Sequence, residues 1–313
     1  MPPLNKPIVV FGGTGHLGRK VVEKLLAKGV PVRVLTRNAA SARDLLGPNV
    51  DFLEGDVCDP KMVEQAISET AGIVVALSAM SPKLIRRERE IEYDAVLNIL
   101  AEAKRQGVGR LVYLSVYGNR PDVLKQQGIG SLGAIQPEVE RQIAESGLNW
   151  TILGNAPSYD LFFTFLRGKR LMVPGGGYRP IPCIHSEDVG EIAARAVLRD
   201  DLSGRRFHMT GPRAISFPEF AEMVSGITGR PVRHQAIPLA ILNVLTALIK
   251  PFNPFFRSIY FAVKLFNHFP ADLAEAAPAE HRRLEETFGY APVGMEEVIG
   301  IRFSEGVTKS PLH

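Results

Sequence analysis

Gly12, Gly15 and Gly18 recur at three-residue spacing inside Gly12-Gly13-Thr14-Gly15-His16-Leu17-Gly18. The loop follows the apolar run Ile8–Phe11. It opens the stretch Gly18–Ala27, in which Val21, Val22, Leu25 and Leu26 form a helical stripe. A glycine loop between a strand and a helix is suited to a pyrophosphate. One glycine permits the tight turn, one lets the backbone approach the phosphates, and one lets helix and strand pack closely. The helix start adds N–H groups and a positive dipole end. Thr14, His16 and Leu17 are expected to line the loop beside the three glycines. A mononucleotide P-loop fails on chemistry. Gly13 and Gly18 have the right separation, but Arg19-Lys20 stand where a phosphate-gripping Lys and a Mg²⁺-binding hydroxyl are needed.

The second strand, Val32–Leu35, runs into Thr36-Arg37-Asn38. An NAD site usually has an Asp or Glu there to accept the ribose hydroxyls, whereas an arginine pairs with a 2′-phosphate. Thr36 and Arg37, with Arg19 in reach, therefore favour NADP(H) over NAD(H). The plain alternative is that Arg37 is an ordinary surface arginine.

The elements that must position these residues alternate. Strands are expected at Val50–Leu53, Ile73–Leu77, Leu111–Leu114 and Trp150–Leu153. Helices are expected at Lys61–Ser68, Glu90–Gln106 and Pro137–Ser146. Nearly continuous apolar strands alternating with helices imply βαβ units and strands buried on both faces. The fold class is α/β, a doubly wound parallel Rossmann sheet with a smaller C-terminal substrate lobe. Residues 1–154 would form the nucleotide domain, completed by parts of 180–210, and 155–313 a discontinuous lobe. After residue 154 the loops lengthen, as at Pro174-Gly175-Gly176-Gly177. Helices are expected at Ser186–Leu198 and Pro218–Thr228, and a strand at Arg206–Met209. The region Leu239–Phe269, aromatic-rich from Phe252, reads either as a lid over an apolar substrate or as the core of the lobe.

Composition narrows the function classes. The 313 residues are 45% hydrophobic and 22% charged, with a net charge of +4, so a packed core is expected. The basic run Lys83–Arg89 reads as a solvated helix start or as an anion-attracting rim. It is no nucleic-acid stripe, and no recognition helix stands out. Cys58 and Cys183 lack metal spacing and fit a reducing compartment. The seven histidines show no i, i+4 pair, so no metal is expected. The N-terminus lacks the features of a signal peptide, and a cytoplasmic location is expected. Ala236–Ile249 runs 14 residues without a charge. That is short of the roughly 20 needed to span a bilayer, so no transmembrane segment is expected, and peripheral membrane contact stays open.

Several motifs together resemble the NmrA-like group of atypical short-chain dehydrogenases: the glycine loop; Thr36-Arg37; Gly55-Asp56-Val57; Gly107 through Ser115; Val139-Glu140; Ser146 through Leu153; Ile184 through Gly190; and Thr210-Gly211-Pro212. The resemblance spans about residues 7 to 230 and implies site roles. Asp56 and Val57 would border the adenine. Leu77 and Ser78 would line the cofactor ribose. Ser115, with Val116 and Tyr117, would sit beside the nicotinamide, Ser115 and Tyr117 being the candidate catalytic residues. Bland alternatives are that Asp56 caps the helix after Asp59-Pro60 and that Ser115 bonds its own backbone. His185 reads better as part of a helix start, with Asp188 capping, than as a base.

Two departures matter. Carbonyl-reducing relatives usually use Tyr-x-x-x-Lys, in which Lys lowers the Tyr pKa. Here Leu132 and Gln136 stand at those positions. The family's Arg-Pro after Thr-Ile-Leu is replaced by Gly154-Asn155. The resemblance therefore implies NADPH-dependent hydride transfer to a small apolar, conjugated substrate, with Tyr117 or water supplying the proton. The alternative is a non-catalytic NADP-sensing regulatory or scaffold protein that meets a partner protein.

Overall fold

A computed structural model describes residues 5–118, 125, 135–241 and 255–304. The chain forms two compact units. One comprises Met1–Pro121, Gly133–Asn155 and Ser186–His208, the other Asp122–Leu132, Ala156–His185 and Met209–His313.

The first unit is built on a seven-stranded parallel sheet: β1 (Ile8–Phe11), β2 (Val32–Thr36), β3 (Asp51–Glu54), β4 (Gly72–Val75), β5 (Leu111–Val116), β6 (Trp150–Asn155) and β9 (Arg205–Met209). Their order in space is β3-β2-β1-β4-β5-β6-β9. The winding reverses between β1 and β4, where doubly wound sheets open a ligand crevice. Helices α1 (His16–Ala27), α2 (Ala39–Leu46), α3 (Pro60–Ile67), α4 (Ala95–Arg105), α5 (Ile135–Glu145) and α7 (Ser186–Val197) flank the sheet. β1 and β4 are buried throughout, as their apolar runs require.

Several local expectations are corrected. β3 is an edge strand with Asp51 and Glu54 exposed, so it is not buried on both faces. β4 stops at Val75, opposite Phe11 of β1 and Tyr113 of β5. Leu77 and Ser78 therefore lie beyond the strand. The helix expected over Glu90–Gln106 begins as a π turn, Glu90–Asp94, before α4. Asp59, not Asp56, caps α3, accepting from the Lys61 N–H. The short helix α2 gave little apolar periodicity. It is held at its start by Asn38, which accepts from Ser41, and by Glu54, which accepts from Ala39.

α1 and α7 lie against each other. A Cβ on Gly190 would fall 2.7 Å from the Lys20 carbonyl carbon, so only glycine allows this approach. Lys20 and Lys24 pair with Glu187 at 2.6 and 2.7 Å, and Lys28 pairs with Glu191 at 2.7 Å. Partial burial opposes ionisation of Glu187, but the two ammonium groups outweigh it and hold the carboxyl down at about 2. This stabilisation is therefore complete above the ordinary carboxylate range and is lost only as pH falls toward that value. Arg110, just before β5, is buried with its guanidinium bonded to the Ala196 and Asn149 carbonyls and to Thr151. It ties the end of α7 to the sheet.

The second unit contains α6 (Asp160–Thr164), β7 (Leu166–Arg167), β8 (Arg170–Pro174), α8 (Phe217–Thr228), β10 (Arg233–Ile237), α9 (Phe255–Asn267), α10 (Ala271–Phe288) and α11 (Met295–Ser304). Phe162, Phe217, Phe220 and Phe266 form its aromatic centre, with ring centroids 4.7 to 5.2 Å apart. Phe266 and Phe269 are thus core residues of this unit. Residues 242–254, with Phe252 and much of the uncharged run, lie outside the described residues. α8 starts with a reciprocal Ser216–Glu219 capping box. β7, β8 and β10 form a small sheet in which Arg167 faces Arg170 and Arg170 faces Arg233 in register. All three are exposed, and like charges set directly opposite each other are destabilising.

Candidate active site

The glycine loop lies at the switch point, and its geometry explains its composition. Gly12 has φ 79°, and a Cβ there would come 2.3 Å from the Ala76 carbonyl oxygen. A Cβ on Gly18 would come 2.1 Å from the Gly12 oxygen. Gly12 thus lets β1 turn beneath the end of β4, and Gly18 lets α1 close onto the loop. Gly13, not among the expected cofactor residues, packs on Val34. α1 begins at His16 without a side-chain cap, and Thr14, Gly15 and His16 are exposed there, with Leu17 half-buried. An uncapped helix start behind an exposed glycine turn is an anion cradle.

Around it the expected residues fall in place to different degrees. Thr36 is buried, and its main-chain carbonyl accepts from the Gly55 N–H. Arg37 is exposed and makes no hydrogen bond or ion pair among the described residues. Arg19 runs along α1 to within 3.5 Å of Glu23. Asp56 accepts from the Cys58 N–H at 3.0 Å and from Arg87 at 2.9 Å. Partial burial opposes its ionisation, yet these two donors hold its carboxyl below the ordinary value. Arg87 also pairs with Glu90, while Lys83, Arg86 and Arg89 of the basic run are exposed. Val57 and Leu77 pack against the sheet's core cluster, and Ser78 accepts from the Met80 N–H. His185 belongs to the second unit, where its ring lies 5.8 Å from Tyr159.

At the carboxyl ends of β4 and β5 the polar groups are engaged with one another. Ser115 is buried and donates to Glu140 on α5, which refutes the bond to its own backbone as its main role. Glu140 also accepts from Arg206 of β9 at 2.8 Å, and Arg206 reaches the Val116 carbonyl at 3.0 Å. A Cβ on residue 154 would fall 2.8 Å from the Arg206 guanidinium and 2.7 Å from the Val116 oxygen. Gly154, standing where the resemblance expects an arginine, thus makes room for one that arrives from β9. Glu92, on the π turn, accepts from the Ala79 N–H at 2.6 Å and from Gln136 at 2.8 Å. Gln136, read in sequence only as a missing lysine, therefore holds a buried carboxyl. Tyr117 is 7% exposed, with its ring edge-on to His208 at 5.0 Å. Leu132 lies outside the described residues. Among the described residues no group of three or more His, Cys, Asp or Glu side chains is placed to hold a metal ion. No helix among them is long and apolar enough to cross a membrane.

Arg206 and Glu92 were missed in the sequence. Glu92 carried a signal: it shares helical spacing with Ala95, Val96 and Ile99, all buried, so a carboxylate sat on an apolar stripe. Arg206 carried one only in combination with the glycine at 154.

Fold and cradle together define a dinucleotide-binding α/β protein of the Rossmann type. The model of the NmrA-like family matches residues 4–298, and the chain belongs to that family. It is 28% identical over 237 residues to an NAD(P)H azoreductase of Xenophilus azovorans, covering 74% of this chain and 77% of the relative. It is 25% identical over 263 residues to a photosystem II assembly factor of Synechocystis, covering 81% and 76%. Among solved structures, Citrobacter triphenylmethane reductase complexed with NADP(H) superposes with a TM-score of 0.73 at 18% identity, over 93% of this chain and 98% of that one. An NADPH-dependent quinone oxidoreductase of Escherichia coli gives 0.71 at 20% identity, over 95% and 99%. These two likenesses establish the fold.

The Glu140–Arg206 pair is largely shielded from water, so removing one partner strands a charge. Arg206→Ala is expected to cost about 3 kcal/mol in urea unfolding. The double variant Arg206→Ala with Glu140→Ala should cost clearly less than the sum of the two single losses. Strict additivity would show that the pair is not coupled.

Proposed function

We propose that this chain is an NADP(H)-dependent reductase that passes hydride to a small apolar, conjugated acceptor without a Tyr-x-x-x-Lys pair. The observation that carries this reading is the character of the sheet edge beyond β4 and β5. Met80 is 54% and Val116 42% exposed there, while Ser115, Glu92 and Gln136 are engaged with other protein groups. Such an edge offers apolar surface and little acid assistance. It suits acceptors such as quinones, enones, azo or iminium compounds, whose conjugation takes up hydride readily. The named activities of the azoreductase, quinone oxidoreductase and triphenylmethane reductase relatives support the same class.

The residues present fit the cofactor. Gly12, Gly15 and Gly18 with Thr14, His16 and Leu17 would hold the pyrophosphate, and Thr36 and Arg37 the 2′-phosphate. Asp56 and Val57 would border the adenine, and Leu77, Ser78 and Ser115 the nicotinamide riboside. When bound, the dihydronicotinamide supplies the hydride. The Ser115 hydroxyl, its proton engaged by Glu140, can only accept and so orients rather than protonates. Tyr117 or water delivers the proton.

The second reading is a non-catalytic NADP-responsive regulatory or scaffold protein that meets a partner protein. The absence of a lysine at Gln136 and the assembly-factor relative favour it.

NADPH consumption measured against a panel of quinones, enones and azo dyes separates the two. Turnover, slowed at least several-fold by Tyr117→Phe, supports the reductase and its proton source. Tight binding with no turnover on any acceptor moves the assignment to the second reading. For cofactor choice, Arg37→Ala is expected to weaken NADPH by roughly 10- to 100-fold, the value of about 1.5–3 kcal/mol for a charged hydrogen bond. NADH binding should change little, and equal losses would remove Arg37 from the 2′-phosphate. The exposed Arg167, Arg170 and Arg233 row and the uncharged run after it support accessory contact with an anionic membrane surface. Flotation with anionic but not neutral vesicles is the expected result, and no bound fraction at low salt would dismiss it.

A further inference from the structure

The π turn Glu90–Asp94 carries a buried carboxyl that the proposed hydride transfer does not use. A π turn inserts one residue into a helix and rotates a side chain off the regular stripe, and such insertions recur at functional sites. Here the turn feeds directly into α4, and Glu92 points at the segment that follows β4. One carboxylate oxygen accepts from the Ala79 N–H at 2.6 Å, and the other accepts from the Gln136 amide on α5 at 2.8 Å. The Ser78 hydroxyl also bonds to this carboxyl. Three donors from two separate elements thus converge on one buried group. The segment they hold contains Leu77 and Ser78, the residues assigned above to the cofactor riboside.

We propose that Glu92 is a positioning residue for the cofactor: through Ala79 and Ser78 it sets the main chain of the segment after β4, and through Gln136 it fastens that segment to α5. The proposal rests on the NADP(H) reading above. It gives Gln136 a role at the helix position where the family resemblance expects a lysine. The residue there no longer serves the ribose or a tyrosine; it serves the carboxyl that shapes the cofactor's bed.

The arrangement depends on ionisation. A carboxylate accepts all three donors. A protonated carboxyl turns one oxygen into a donor. The Ala79 N–H can stay on the unprotonated oxygen, but the Gln136 amide must turn over to present its oxygen, so the tie to α5 seen with the carboxylate is not kept. The groups facing Glu92 are Glu88 on the preceding turn, Tyr113 on β5, the neutral Gln136 on α5, and Ser78 and Ala79 after β4. Burial pushes the Glu92 carboxyl up; the Ala79 N–H opposes this and the Glu88 charge adds to it, leaving it at about 7. Because the folded value lies above the ordinary one, the empty protein holds this proton until pH rises through about 7. Binding that requires the ionised form therefore expels the proton below that pH.

The test is calorimetric titration of the full chain with NADPH between about pH 6 and pH 8, in two buffers of different ionisation heat. Wild type, Glu92→Gln and Glu92→Ala are compared. Glutamine keeps an oxygen for Ala79 and can pair with a rotated Gln136, but it cannot titrate. Wild-type affinity is expected to fall by up to about tenfold per pH unit below about pH 7, with proton release to the buffer. Glu92→Gln, which carries the hydrogen-bond pattern of the protonated carboxyl, should bind about tenfold more weakly than wild type at the upper pH, as wild type does at the lower, and lose that steep component. The gentler titration of the cofactor's own 2′-phosphate, near about pH 6, remains in both. Glu92→Ala should bind roughly tenfold more weakly at every pH. A Glu92→Gln profile and proton release identical to wild type would overturn the proposal, as would wild-type affinity in Glu92→Ala. If wild type binds no NADPH at all, the cofactor reading itself is overturned, and this one with it.

Discussion

The first unit is organised by one close approach: the carbonyl oxygen of Ala76 occupies the place where residue 12 would carry a side chain. Because Gly12 yields that space, β1 can end beneath β4 and the chain can turn sharply into α1. Because Gly18 yields its own, α1 can seat on the turn. The sharp turn out of β1 and the exposed start of α1 follow from this packing. Any side chain at residue 12 would have to displace backbone, which cannot swing aside as a rotamer does.

Around that point the unit keeps its buried charges in partnership. Glu140 has Ser115 and Arg206, Asp56 has Arg87 and the Cys58 amide, and Arg110 has backbone carbonyls. A buried charge without partners is strongly penalised, and Glu140 and Arg110 draw theirs from other elements. The polar groups therefore act as cross-ties among β5, α5 and β9. What is left toward solvent at the ends of β4 and β5 is Ser78 and the apolar Met80 and Val116. The same arrangement that satisfies the interior leaves the site without an exposed acid.

Much of this was legible in the sequence where the signal is local. A glycine triplet after Ile8–Phe11 and before an apolar helical stripe specifies a turn, a strand and a helix within twenty residues, and alternating apolar runs gave the parallel sheet. The family match over residues 4–298 agrees with the motifs from Thr36-Arg37 to Thr210-Gly211-Pro212. Boundaries failed where tertiary pairing decides them. Ile73–Leu77 is apolar throughout, yet pairing stops at Val75, where β1 turns into the glycine loop while β5 runs on to Val116. The cross-ties were illegible for another reason. Arg206 and Glu140 are 66 residues apart, and Glu92 and Gln136 are 44 apart. No spacing rule links such pairs. Their only trace is a polar residue where an apolar one is expected, or a glycine where a relative carries a side chain.

The contact between Gly190 and Lys20 has a consequence for the order in which the molecule can form. Helix α1 is complete by residue 27, but the helix that covers it is not synthesised until residues 186–197, and β9 comes later still. Between them the chain leaves the first unit and passes through residues 156–185 of the second. The nucleotide cradle, written in the first twenty residues, therefore waits on the ribosome for a partner about 170 residues downstream. Closing so long a loop slows folding more than it weakens the final state. Until α7 arrives, α1 has only its early neighbours β1, β2 and α2 to pack on, and the face that Gly190 meets stays open in the nascent chain.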